Sequence, residues 1–380
     1  MIEGRIFLIA KLLSVVVMLV LMLAGGVAVA QEAATGTTGY VRPPSGQDAQ
    51  KWGAPAQLPA TVVPQESDPK IWRDIRFGVV GLVSIPDKQA GLLIQSGSAD
   101  WIDYRNVKVP AWGAWGLAGM LALLVIFFAL RGRVRVDSGL SGRTVERFNG
   151  FERFAHWLTA GSFIILALSG LNMLYGRQAL LPLLGPDTFA GLTSAGKFAH
   201  AYLAFVFMAG VILILLLWVR HNLPDKSDLL WIVKGGGMFV KGSHPPARKF
   251  NVGQKAIFWI VVIGGFSISL TGLALMFPFT IPLFADSFSV ANNFGFSLPT
   301  ELTMLQEVQL SQIWHSIVGL IMIVIIIAHI YIGSVGMEGA LDAMLSGQVD
   351  ENWAREHHSL WFEGEAEKGA AAGKSKEEAT

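Results

Sequence analysis

Five nearly unbroken apolar stretches punctuate this 380-residue chain, at about 112–130, 154–175, 200–219, 256–277 and 310–334. Each is close to the roughly 20 residues that an α-helix needs to cross a hydrocarbon core about 30 Å thick. The pattern predicts an all-α integral membrane protein: a four-helix transmembrane bundle within 145–335, preceded by one additional spanning helix at 111–131. A further apolar run, Leu12 to Val29, follows Arg5 and Lys11 and ends in Ala28-Val29-Ala30. That order of charged, apolar and small residues marks 1–30 as a secretory signal peptide, with an uncleaved anchor as the alternative. Between the two lies 31–110, whose first half carries Pro43, Pro44, Pro55, Pro59, Pro64 and Pro69 and reads as an extended arm. Its second half has enough apolar residues to pack as a small region. No catalytic constellation occurs in it.

Charge supplies the orientation. The loop 131–153 carries six arginines and 220–255 carries seven Lys or Arg, whereas 176–198 holds only Arg177 and Lys197 and 278–309 holds none. The positive-inside rule makes the first two loops cytoplasmic and the other two external. The signal peptide gives the same result independently, since it exports the arm. The expected location is a bacterial inner membrane, with a periplasmic extension at the N-terminus and a cytoplasmic C-terminal tail over 336–380. Hydrophobic residues make up 52% of the chain and charged residues 15%, so lipid is the main surroundings. No basic tract is interleaved with aromatics, and nucleic acid is excluded as a partner. Cysteine is absent, which rules out disulfides, thiolate-held iron–sulfur clusters and covalently attached haem.

The last apolar stretch holds a histidine near each end, His315 and His329. Fourteen residues on a helix separate them by about 21 Å and leave them about 40° apart around the axis. A lone intramembrane histidine can simply bond to a neighbouring helix, but such residues are functional by default, and here partners exist. Topology puts His200 at the outer depth with His315, and His156 at the inner depth with His329. Two bis-histidine sites, one per leaflet, describe a dihaem b-type cytochrome with two haem b groups, the four imidazoles ligating the iron. Haem propionates need cations at the membrane faces, for which Arg153 and Arg147 on the inner side and Arg177 or Lys197 on the outer are candidates. Small residues such as Ser169, Gly170 and Gly272 leave room for porphyrin or for close helix packing.

These residues resemble a known family, the gamma (cytochrome b) subunit of membrane-bound respiratory formate dehydrogenase. The resemblance runs over about 145–362 and rests on Arg153-Phe-Ala-His156-Trp, His200, Asn251-Val-Gly253-Gln254-Lys255, the His315/His329 spacing and Trp353-Ala-Arg-Glu-His357-His358-Ser-Leu-Trp361-Phe. It implies that the four histidines bind two b haems. It also implies an iron–sulfur beta subunit and a molybdenum or tungsten catalytic alpha subunit as partners, feeding electrons to the outer haem. The inner haem would reduce a quinone, menaquinone or ubiquinone, near Asn251 and Gly253. Physically, Asn251 can donate to a quinone carbonyl, Gly253 allows close backbone approach, and Lys255 can relay protons. A cytoplasmic turn that merely caps the fourth spanning helix is the plainer reading of this loop. The alternatives for the whole chain are the cytochrome b subunit of a hydrogenase or another molybdoenzyme, and a proton-coupled transporter.

Overall fold

The computed structural model describes residues 98–237, 242–278 and 280–367. The expected signal peptide and nearly all of the proline-rich arm lie outside the described residues. The chain divides into two compact units, and the short helix Ser98–Asp103 is the described part of the smaller one, 31–103.

The long helices of the larger unit are α1 (Val109–Arg131), α2 (Gly150–Ala179), α3 (Pro186–Trp218) and α8 (Met304–Tyr331). A fifth long element joins α5 (Val252–Trp259), one wide turn at Ile260–Gly264, and α6 (Gly265–Met276). Shorter helices are α4 (Lys226–Val233), α7 (Phe284–Asn292) and α9 (Glu351–His357). Among the described residues, five helices are long and apolar enough to cross a membrane, and α2, α3, α5–α6 and α8 alternate in direction along the chain. Large apolar side chains such as Leu123, Leu168, Leu216, Ile263 and Phe266 are exposed, as expected of surfaces that lipid covers.

Helix ends follow from local chemistry. Asn149, Asp225, Asn251 and Thr303 each cap a helix, and Glu152, Asp228, Gln254 and Gln306 close the reciprocal bond three residues on. Two helices extend well beyond the apolar runs. α3 begins at Pro186, so His200 lies deep within it rather than at its start. Close packing holds the bundle together: a Cβ at Gly210 would come within 3.1 Å of the Thr159 backbone, and one at Gly113 within 2.6 Å of Leu320. The second approach seats α1 against α8, and the Tyr175 hydroxyl, donating to the Pro110 carbonyl at 2.8 Å, ties α1 to α2.

The described residues after α8 fold onto the bundle. A two-stranded antiparallel ladder pairs β1 (Thr144–Glu146) with β2 (Gln348–Asp350), Val145 opposite Val349. Behind it Trp353, 2% exposed, joins Phe148, Trp218, Phe250 and Phe258 in the main buried cluster, at the arginine-rich end of the bundle. Arg147 is buried in the same place, with its guanidinium 4.9 Å from the Trp353 ring and 2.8 Å from both the Lys249 carbonyl and His358 Nε2. Because His358 Nδ1 faces the Arg248 carbonyl at 2.7 Å, that nitrogen carries the proton and Nε2 accepts from Arg147. Burial pushes Arg147 down to about 9, which leaves it charged at neutral pH. These bonds engage one terminal nitrogen of Arg147, while its Nε is buried without a partner.

This cap is acid-sensitive. Burial depresses His357 to about 4 and His358 well below the ordinary imidazole range. The unfolded tail, with imidazoles near 6.5, binds more protons below that pH than the docked tail does, so docking is fully stabilised above about 6.5 and weakens as pH falls towards 4. Hydrogen exchange should show the amides of 351–362 protected at pH 7.5 and opening by pH 5 while mid-α8 amides stay protected. Equal protection of the tail at both values would refute this.

Candidate functional site

Three helices bring the four intramembrane histidines together in two pairs. His156 on α2 faces His329 on α8 with ring centroids 6.3 Å apart and planes at 60°. His200 on α3 faces His315 on α8 at 6.2 Å and 60°. Since α8 runs unbroken from Met304 to Tyr331, its two histidines are about 21 Å apart along the axis. The first pair lies towards the arginine-rich end and the second towards the other. A metal–imidazole bond of about 2.0 Å, with the ring centre about 1.1 Å behind the nitrogen, puts two imidazoles across one metal at a centroid separation of about 6.2 Å. Both pairs have that separation.

The second pair has its protons placed. Ser169 Oγ bonds the Ile165 and Leu166 carbonyls of its own helix at 2.8 and 3.0 Å, so its hydrogen is occupied and its oxygen accepts from His200 Nδ1 at 2.8 Å. Thr271 Oγ1 likewise donates to Ser267 or Ile268 at 3.1 Å and accepts from His315 Nδ1 at 3.1 Å. With Nδ1 protonated, Nε2 is the bare lone pair on both rings, as metal ligation requires. Space is arranged in the same way twice. A Cβ at Gly170 would lie 3.6 Å from His200 Cε1, and one at Gly272 would lie 3.3 Å from His315 Cε1. In the first pair, His156 Nδ1 is buried without a partner.

The loop before α5 is more committed than its sequence suggests. Asn251 Oδ1 accepts from the Gln254 amide at 3.0 Å as the helix cap, which leaves its side-chain NH2 as the donor. Gly253 is exposed, and a Cβ there would lie 3.5 Å from the Trp231 ring of α4. Lys255 does not face open space. Its ammonium is buried and binds Asp225 at 3.0 Å and both oxygens of Asp228 at 2.9 Å. Although burial pushes Asp225 up, bonds from Ser227 and Lys255 hold it down at about 2. Lys255 thus anchors the loop by tying α4 to α5. Arg153 donates through one terminal nitrogen to the Leu345 carbonyl at 2.6 Å and keeps its Nε buried without a partner. Arg177 is exposed in the last turn of α2.

Imidazole spacing alone does not define a site. His244 and His357 also have centroids 6.3 Å apart, and Asp137, His244 and Glu356 bring ligand atoms within 4.8 Å. In the Asp137–His244–Glu356 group the atoms already have partners: His244 Nε2 is 3.2 Å from Asp137 Oδ2, and the two Glu356 oxygens accept from the Asp137 and Ser138 amides at 2.9 and 2.8 Å. The sequence reading took Ser169 only as a small residue beside the porphyrin and missed Thr271 and Trp231 as site residues. A signal for Ser169 and Thr271 is present, since Leu168-Ser169-Gly170-Leu171 on α2 and Leu270-Thr271-Gly272-Leu273 on α6 repeat one hydroxyl–glycine pattern.

The family described as prokaryotic cytochrome b561 matches residues 147–347, more than half of the chain. The chain is 27% identical over 220 residues to the cytochrome b556(fdo) subunit of formate dehydrogenase of Escherichia coli K12, covering 58% of this chain and 92% of that one. It is 27% identical over 237 residues, 62% and 97%, to the nitrate-inducible cytochrome b556(Fdn) subunit of the same organism. A formate dehydrogenase cytochrome b556 subunit of Haemophilus influenzae is 25% identical over 213 residues, 55% and 79%.

Proposed function

The chain belongs to the prokaryotic cytochrome b561 family, and from that premise we propose that it is the membrane-anchoring cytochrome b subunit of a respiratory formate dehydrogenase. The observation that carries this is the pair of histidine pairs at two depths along one helix. His200 and His315 would hold one haem b and His156 and His329 the other, each through Nε2. The residues suit the group: orientated imidazoles with bare nitrogens, glycines at the ring edge of His200 and His315, and an unpartnered Nε on Arg153 that fits a propionate carboxylate. Haem b, when bound, supplies reversible one-electron transfer.

The loop charges favour an orientation with the His156/His329 pair towards the cytoplasm and the His200/His315 pair towards the periplasm, where an iron–sulfur subunit and a molybdenum or tungsten subunit would dock and oxidise formate. On the inner side, Asn251 would donate its amide hydrogen to a quinone carbonyl, Gly253 would let the ring approach, and Lys255 with Asp225 and Asp228 would hold the loop in register. The N-terminal arm would extend the periplasmic docking surface, and α1 would add a fifth membrane span beside α8.

The test is a formate-reduced spectrum of the purified complex, expected to show b-type haem at about two per chain. One haem or none would overturn the reading. In the same assay Asn251→Asp, which keeps the capping oxygen and removes the amide donor, should preserve both haems and slow quinone reduction. Unchanged quinone kinetics would remove Asn251 from the site.

A further inference from the structure

The two histidine pairs are not equivalent, and the difference lies in the groups behind the rings. Both rings of the outer pair donate Nδ1–H to a hydroxyl on a neighbouring helix, His200 to Ser169 of α2 at 2.8 Å and His315 to Thr271 of α6 at 3.1 Å. Each hydroxyl is itself turned by a carbonyl of its own helix. In the inner pair, the corresponding nitrogen of His156 is buried and bonds to nothing. We propose that Ser169 and Thr271 are positioning residues that set the outer haem at a lower reduction potential than the inner one, giving electron flow across the bundle its direction.

The physics follows from the ligand. A hydrogen bond accepted from Nδ1–H draws that proton away from the ring, raises the basicity of Nε2 and fixes the ring plane. A more basic ligand donates more charge to iron and favours the ferric over the ferrous state, and hydrogen bonding behind the axial ligand is one of the levers that sets haem potential. Two such bonds act on one iron. An imidazole whose Nδ1–H lies in apolar surroundings is the weaker base, so the iron that His156 ligates is more easily reduced. The duplicated Leu-Ser-Gly-Leu and Leu-Thr-Gly-Leu segments place hydroxyl and ring-edge space together on α2 and α6, which makes the arrangement a repeated feature of the outer site.

This inference rests on the dihaem reading, and the experiment separates the two. The complex is titrated potentiometrically at the b-type absorbance, and the component lost in His200→Ala identifies the outer haem. In the parent protein that component should have the lower potential. Ser169→Ala and Thr271→Val should each raise it and the double variant should raise it further, while the other component stays fixed. Thr271→Ser, which restores the hydroxyl, should return the parent value. Fewer than two components in the parent would defeat the dihaem reading itself. Two haems with the outer potential unmoved in both single variants, or the same shift in Thr271→Ser as in Thr271→Val, would overturn the assignment to the hydroxyls. The single variants, each keeping one hydroxyl, decide the matter if the double variant does not hold haem.

Discussion

His315→Ala and His329→Ala chains are each expected to keep one b haem of two, and the doubly substituted chain none. The reasoning is geometric. Both residues are on α8, yet each faces a different helix, with His200 on α3 at 6.2 Å and His156 on α2 at 6.3 Å. Removing one imidazole leaves its partner as a single ligand and leaves the other pair intact about 21 Å away. Formate-to-quinone turnover should fall to background in either variant, because carriers in series fail together. Haem content and turnover measured on the same preparation check this. His221→Ala and His244→Ala, at histidines outside the pairs, are the controls and should keep two haems. Loss of both haems on substituting His315 alone would show that the pairs do not act as separate sites.

Trp353→Ala is expected to be the most destabilising substitution outside the membrane-spanning helices, by about 3–5 kcal/mol. The ring is 2% exposed, lies among Phe148, Trp218 and Phe250, and shelters the buried Arg147 guanidinium at 4.9 Å. Truncation opens a cavity and strips an aromatic face from a desolvated cation. Its indole nitrogen has no partner, so Trp353→Phe loses no hydrogen bond and should cost much less. Thermal unfolding of the three proteins in one detergent gives the comparison. Equal midpoints for the alanine and parent chains would mean that the cap does not contribute to the stability measured.

The spans were readable from the chain because they depend on local periodicity, and the histidine pairing because loop charges gave each helix end a side. Apolar runs of membrane length mark helices, and fourteen residues on one helix fix a spacing whatever surrounds it. What could not be read depended on partners distant in sequence. Lys255 reads as a free cation until the Asp225 and Asp228 carboxylates are brought to it. Arg147 reads as a membrane-face charge, yet residues more than 200 positions away enclose it. The start of α3 was hidden for another reason. Residues 186–199 mix Phe189, Leu192 and Phe198 with Asp187, Lys197 and small residues, so hydropathy places the helix at His200, although a proline in the first turn after Gly185 gives a sound helix start. The cap escaped notice because Trp353 and His358 are embedded in charged sequence, where burial leaves no periodic trace.

The short ladder between β1 and β2 has an architectural consequence. It joins the chain just before α2 to the chain just after α8, with Thr144 opposite Asp350 and Glu146 opposite Gln348, so the whole histidine-bearing bundle is a loop zipped shut at its base. α1 and residues 134–142 are fastened to this closed loop, α1 against α8 and Val134 bridged to Met337. A bundle closed on itself in this way carries its own register between Thr144 and Asp350, so α2 and α8 are held together at the base by backbone pairing as well as by side-chain packing.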